Sequence, residues 1–403
     1  MWPDHSLRNL LGLALAAGVL ACGEEPTEPA LPLSESAAPA SASAAFFFRE
    51  VSAGDYHTCG IAADSRAYCW GDNDGGQLGD GTVTDRSRPV AVVRGVQFSQ
   101  ISSGVYHTCG VSTDNRVYCW GNNDNGQLGV TGLRRLRPVL ITVHRFRQVS
   151  AGFRHTCAVN LSDVAYCWGD NLWGQLGDGT ESDRPAPVPV AGGLRFRRVS
   201  AGSAYTCGVT TDNRAYCWGD NWQGQLGNGT RNRALVPVAV SGGISFRQVV
   251  AGGNHSCGVT GSNRAYCWGN NETGRLGDGT TTNRLRPVEV AGGLRFAQVV
   301  PGSVGHTCGV TTDNRAQCWG DNFVGGLGDG TTSQRLAPVP VSGGLQFSGV
   351  SPGASHTCGV TTLNRAYCWG HDGQGQLGVG GTEPPSFGAV PHRTTPTAVL
   401  GPL

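Results

Sequence analysis

TCGVTTDNRAYCWGDNWQGQLGNGT, from Thr206 to Thr230, is the stretch whose reading decides the fold. A pattern of the form HTCGVTTDNRAYCWGDNxxGQLGDGT recurs seven times along the chain. Its Trp-Gly pairs, at Trp70, Trp120, Trp168, Trp218, Trp268, Trp319 and Trp369, fall 48 to 51 residues apart. Self-similarity at a period near 50 means one supersecondary unit per repeat, stacked in a row or closed in a ring.

Within the fourth unit, four short runs of apolar or alternating residues stand between glycine-rich turns. They are Leu194 to Val199, Tyr205 to Thr210, Arg214 to Trp218, and Val236 to Val240. Four such runs bounded by Gly, Asn, Asp and Pro predict a small antiparallel sheet. Glycine supplies 63 of 403 residues, and the apolar period is near 2 rather than 3.6, so helix is not expected. Seven four-stranded sheets predict an all-β, seven-bladed β-propeller. The N-terminal run Phe46 to Val51 is expected to complete the seventh blade and so to close the ring; a linear array would instead need capping repeats.

Of the 15 cysteines, 14 come in pairs ten positions apart. The pairs are Cys59 with Cys69, Cys109 with Cys119, Cys157 with Cys167, Cys207 with Cys217, Cys257 with Cys267, Cys308 with Cys318, and Cys358 with Cys368. Thr211-Asp212-Asn213 reads as a three-residue hairpin loop with Asn213 in the left-handed conformation. Counting outward from that loop sets Cys207 opposite Cys217 in a non-hydrogen-bonded pair, with Cα atoms about 4.5 Å apart. That is the short edge of the disulfide range. Zinc sites favour C-x2–4-C spacing, which is lacking, so seven disulfides are expected.

The fifteenth cysteine, Cys22, ends a different kind of segment. Arg8 precedes the apolar run LLGLALAAGVLA, about 12 residues long and too short to span a bilayer. The run ends in Val19-Leu20-Ala21-Cys22, which resembles a bacterial lipobox. Residues 1–21 are thus expected to be a signal peptide and Cys22 a lipidation site. Residues 22–45, rich in Pro, Ala, Ser and Glu, form a tether that cannot bury a core. Residues 46–403 form the propeller, with repeats starting near 51, 101, 149, 199, 249, 299 and 350. Oxidised cysteines fit export.

The motif HTCxVTxDxRxYCWGxNxxGQLGxGT, followed by PVxV and a GGLxFxxV run, resembles the repeat of the regulator of chromosome condensation family, over residues 46 to 403. The resemblance implies a seven-bladed propeller. The family's best-known member is a nuclear guanine-nucleotide exchange factor that also contacts chromatin; another relative is an extracellular bacterial inhibitor of β-lactamase. This chain lacks a strongly basic tail and a long insertion that could wedge into a GTPase. Its formal net charge is +1, from 30 basic and 29 acidic residues with no lysine, which disfavours a nucleic-acid partner.

Six histidines share one repeat position: His57, His107, His155, His255, His306 and His356, with Tyr205 in the fourth unit. They are expected to be structural, each hydrogen-bonding inside its own blade. Asp72-Asn73-Asp74-Gly75 hints at a calcium loop but lacks the distal glutamate; turn chemistry accounts for it equally well. GxSxG, HExxH and Walker patterns are missing, so neither an enzyme nor a cofactor is expected. Further departures are Val130-Thr131-Gly132, Gln317, Gly326, His371 and the segment from Glu383 to Arg393.

Because strands alternate in direction, the AGxxHTC and WGDNxxGQLG turns should share one face, with the Thr-Asp-Asn hairpins on the other. The variable slots of the first face hold Tyr56, Tyr106, Phe153, Arg154 and Asn254, then Leu172, Trp173, Trp222, Gln223 and Phe323. Aromatics with arginine are what protein hot spots favour. The expectation is therefore an exported, monomeric, lipid-anchored interaction module of the bacterial envelope. Its partner would be a protein, contacted through Tyr56, Tyr106, Phe153, Arg154, Trp173, Trp222 and Phe323. The alternatives are an inhibitor or regulator of an extracytoplasmic enzyme, and nucleotide exchange.

Overall fold

A computed structural model of the chain describes residues 46–93, 95–141, 144–381 and 391–402. The expected signal peptide, Cys22 and the tether lie outside these residues, as does most of the segment from Glu383. Among the described residues there are 28 strands and no helix. They form seven sheets, each of four antiparallel strands consecutive in the chain.

Blade four illustrates all seven: β13 (Phe196–Ala201), β14 (Tyr205–Thr210), β15 (Ala215–Gly219) and β16 (Ala234–Ala239). The β14–β15 loop turns on Asn213, whose φ of 66° is the left-handed conformation that Asn tolerates. That loop sets Cys207 opposite Cys217.

All seven expected disulfides are present. Cys59 is bonded to Cys69, Cys109 to Cys119, Cys157 to Cys167, and Cys207 to Cys217. Cys257 is bonded to Cys267, Cys308 to Cys318, and Cys358 to Cys368. The geometry differs from the expectation in one respect. The Cα–Cα distances are 4.0–4.1 Å, shorter than the roughly 4.5 Å of an unbridged pair, because the sulfur bridge draws the two strands together.

Each disulfide joins the two middle strands of its own blade and faces the next blade. Cys207, Cys217, Val209 and Leu226 of blade four pack against Phe246, Val249 and Trp268 of blade five. The seven repeat tryptophans are fully buried in such layers. At about 25 cal/mol per Å², withdrawing an indole of 150–250 Å² from water contributes about 4–6 kcal/mol. The core is therefore seven apolar layers arranged around an axis.

Ring closure differs from the expectation. β1 (Phe48–Ala53) pairs with β2 (His57–Ala62) inside blade one, with Val51 opposite Gly60. Blade seven draws all four strands, β25 (Phe347–Pro352) to β28 (His392–Ala398), from its own repeat. The GGLxFxxV run opens a blade rather than ending one, so the seventh lacks no strand. The ring instead closes face to face: Phe48 and Trp70 of blade one pack on Cys358, Cys368 and Leu377 of blade seven.

Candidate protein-binding face

Two kinds of turn build the face nearest the start of each β2-type strand, and they are joined by backbone. Asp72 N–H donates to Tyr56 O (3.0 Å), Asp170 N–H to Arg154 O (2.9 Å), and Asp220 N–H to Ala204 O (2.9 Å). The two turns therefore share one face, as strand alternation requires.

Beneath that face, side chains stitch each blade to the next. Thr108 Oγ1 donates to Gln77 O (2.8 Å), and Trp120 Nε1 donates to the same carbonyl (2.9 Å). The lone hydroxyl proton of Thr108 is engaged there, so Thr108 accepts from His57 Nε2–H at 2.8 Å. The tautomer follows: Nε2 carries the proton, and buried Nδ1 has no partner among the described residues. The same set repeats around the ring and seals it, with His356 Nε2 to Thr58 Oγ1 (2.9 Å) and Trp70 Nε1 to Gln376 O (2.9 Å). The histidines are structural, but their bonds run between blades rather than within one. Tyr205 fits because its longer side chain reaches past the threonine position: its hydroxyl donates to His255 O (2.6 Å) and accepts from Gly252 N–H (3.0 Å). Burial pushes the pKa of His57, His107, His155 and His356 down to about 3 and that of His306 to about 4, so all stay neutral.

Around the axis, Gly54, Gly104, Gly152, Gly202, Gly252, Gly302 and Gly353 form a closed circle. A Cβ on Gly353 would lie 2.1 Å from Gly54 O, and one on Gly54 would lie 2.2 Å from Gly104 O. Only glycine permits that approach. At this mouth of the channel Asp55 of blade one accepts a hydrogen bond from Ser303 of blade six. Burial raises the Asp55 carboxyl to about 6.

The Trp-Gly loops above this frame are held rigid by an asparagine. Asn73 Nδ2 donates to Thr82 O (3.2 Å) and Thr84 O (3.1 Å), and Asn73 Oδ1 accepts from Leu78 N–H (3.0 Å). Asp80, paired with Arg86 at 2.8 Å, ties down the Gly-Asp-Gly-Thr turn, so that run is a clasp. Asp72, Asp74 and Asp85 come close together. Asp72 accepts from Gln77 Nε2 (2.7 Å) and Asp85 from Asn73 N–H (2.8 Å), so both carboxylates take part in the bonds of the turn.

On this frame the variable side chains fall into three groups. Tyr56, Tyr106 and Phe153 form an arc over blades one to three, with ring centroids 6.3 and 6.1 Å apart, and Arg154 stacks on Phe153 at 4.9 Å. Trp173, half-buried, and Trp222, 67% exposed, line one groove of about 460 Å³ with Asp220, Arg231, Asn232 and Arg233. Phe323, 78% exposed, stands apart on blade six.

Sequence reasoning misses the groove arginines, although a signal is there. Blades one, three, five and six pair an aspartate with an arginine six residues on, as in Asp178–Arg184 at 2.8 Å. Blade four has Asn228 and Ala234 at those positions, and carries its arginines at 231 and 233 instead. Arg231 donates to the Trp222 backbone carbonyl (2.7 Å), tying down the loop that carries the indole, and Arg233 pairs with Glu181 of blade three at 2.7 Å.

The RCC1-like domain profile matches residues 18–307, and regulator of chromosome condensation (RCC1) repeats match 298–325 and 347–376. The chain belongs to the RCC1-like domain family. No curated protein sequence matches it significantly. Among solved RCC1-like structures, Prp20p from Saccharomyces cerevisiae, described with its binding to Gsp1p and histones, is 19% identical. The match covers 85% of this chain and 87% of that one, at a TM-score of 0.74. Human WBSCR16 is 21% identical over 77% and 86%, at 0.71. The ectodomain of the Arabidopsis thaliana receptor kinase ACR4 is 22% identical over 81% and 96%, at 0.52. At these identities the RCC1-like likeness is one of fold.

Proposed function

We propose that this RCC1-like propeller is a non-enzymatic protein-binding module of the bacterial cell envelope, exported by residues 1–21 and anchored through Cys22. The observation that carries the reading is the Trp173–Trp222 groove. Two indoles from adjacent blades, one of them 67% exposed, sit beside Arg231 and Arg233 on rigid loops. Exposed tryptophan has no folding role to fill here, and Trp and Arg dominate interface energetics. Seven buried disulfides fit an oxidising compartment.

Nucleotide exchange is the weaker reading, because Gsp1p is named for a protein only 19% identical. Inhibition of an extracytoplasmic enzyme would be one use of the same face. The test is affinity capture from envelope extract with wild type and with the Trp173→Ala/Trp222→Ala variant. A protein held by the wild type and lost by the folded variant supports the reading; equal capture by both removes this face from the account.

A further inference from the structure

The inner strand of each blade has a residue that faces the channel near its other mouth, away from the glycine circle. In blades two, three, five and six this residue is glutamine: Gln100, Gln148, Gln248 and Gln298. It staples its blade to the next. Gln148 Nε2 donates to Val199 O (2.9 Å), and Gln148 Oε1 accepts from Val199 N–H (3.1 Å). Gln100 makes the same pair of bonds with Val149, both at 3.0 Å.

Three blades break that rule, and they do so with Glu50, Arg198 and Gly349. Arg198 gives up the staple: it is exposed to the channel and, beyond the nearby charge of Glu50, has no hydrogen bond or ion pair among the described residues. Its neighbour Arg197 joins it because β13 has a bulge between Phe196 and Arg198. A bulge sets two residues against one on the partner strand and re-aims the side chains there. Both arginines therefore border a single cavity of about 510 Å³, with Arg147, Gln100, Gln148, Ser99 and Glu50.

The available donors of this cavity can be counted. Arg147 is taken by Asp163 (2.7 Å) and by the carbonyls of Asn160, Phe196 and Arg197. Gln100 and Gln148 are committed to the staples, and Ser99 donates to Val111 O (3.1 Å). Arg197 binds Asn213 through Nη2, which leaves its buried Nε without a partner. What remains is the free guanidinium of Arg198 beside the orphaned N–H of Arg197.

From this arrangement we infer that the channel mouth beside Arg197 and Arg198 is a binding site for a small polyanion bearing phosphate or carboxylate groups. A planar guanidinium recognises either group through paired N–H bonds. Glu50 limits the site. Its carboxyl accepts from Ile101 N–H and faces Arg49 and Arg198, while burial raises it to about 7. Above that pH its charge competes for Arg198; below it, the cavity presents arginine alone.

The test is titration calorimetry on the full chain at constant ionic strength, with inorganic phosphate and citrate as separate probes. The wild type should bind at least one of them in the millimolar range or tighter, and the ratio of its affinity at pH about 6 to that at pH about 8 should exceed the ratio for Glu50→Gln. Arg198→Gln installs the residue that four other blades use, so it should fold with an unchanged or higher melting temperature while binding about ten-fold more weakly. Glu50→Gln keeps the probes' own change of charge between the two pH values and should lose the part of the pH dependence that Glu50 adds. Whichever probe binds tells phosphate from carboxylate recognition. Undiminished binding by Arg198→Gln, or none of either probe by the wild type, would overturn the site.

Discussion

The stitched ring and the rim above it occupy the same loops yet obey opposite rules. In the ring, the Thr or Ser hydroxyl and the Trp indole bond to one carbonyl at all seven seams. A histidine serves six of those seams, with Tyr205 at the seventh. In the rim, the residue after each asparagine or its Asp372 counterpart varies: Asp74, Asp124, Leu172, Trp222, Glu272, Phe323 and Gly373, with only aspartate repeated. Repetition marks what holds the blades together, and variation marks what is free to be recognised. A side chain bonded to the next blade has one acceptable identity; one that points to solvent has many.

Acid should break this distinction most forcefully. A histidine with a depressed folded pKa takes up its proton in the unfolded chain first. Stability is therefore lost as pH falls below the ordinary value of 6.5 and continues to fall toward about 3. Each affected histidine costs up to about 1.4 kcal/mol per pH unit over that range. Glu50, Asp55 and Asp372, raised to about 7, 6 and 6, act in the opposite sense, but six ring histidines outnumber them. A cooperative acid transition between pH about 6 and 4, followed by tryptophan fluorescence, is expected; an unchanged melting temperature down to pH about 4 would mean the ring tolerates charge.

Gly353→Ala comes next. It drives a methyl into Gly54 O at 2.1 Å, against backbone that cannot yield cheaply. A loss of about 3 kcal/mol or more in denaturant unfolding is expected. Replacing Cys207 and Cys217 together by alanine should cost about 2–3 kcal/mol, since the bridge closes a short loop. The smallest effect belongs to the rim: Trp222→Ala should shift stability by no more than about 0.5 kcal/mol. A larger loss there would make Trp222 part of the frame and erase the contrast.

Much of this is legible in one dimension. Local geometry carries the hairpin at Asn213, so the pairing of Cys207 with Cys217 can be counted out from it. Alternation of strand direction sets Trp173 and Trp222 on one face. What stays hidden lies between repeats. A pattern that recurs every 50 residues does not say whether His57 bonds within its own repeat or to Thr108 in the next. Nor does it give the phase at which a blade begins, which is why Phe46 to Val51 reads as part of the wrong sheet. The bulge that turns Arg197 and Arg198 toward the same cavity follows from pairing with Val209 and is invisible without it.

A ring sealed by stitches, with no strand shared across the seam among the described residues, has interchangeable joints. Ala53 N–H bonds to Ser351 Oγ at 3.0 Å across the junction of blades seven and one, just as Ala201 N–H bonds to Ser150 Oγ at 3.0 Å in mid-chain. Which blade comes first in the gene is then a matter of labelling rather than architecture. Joining Ala398 to Phe48 by a linker like the one between Ala91 and Phe98, and opening the chain at another seam, would give a circular permutant with the same seven layers. The order in which blades are made and the order in which they support one another are separate properties of this molecule.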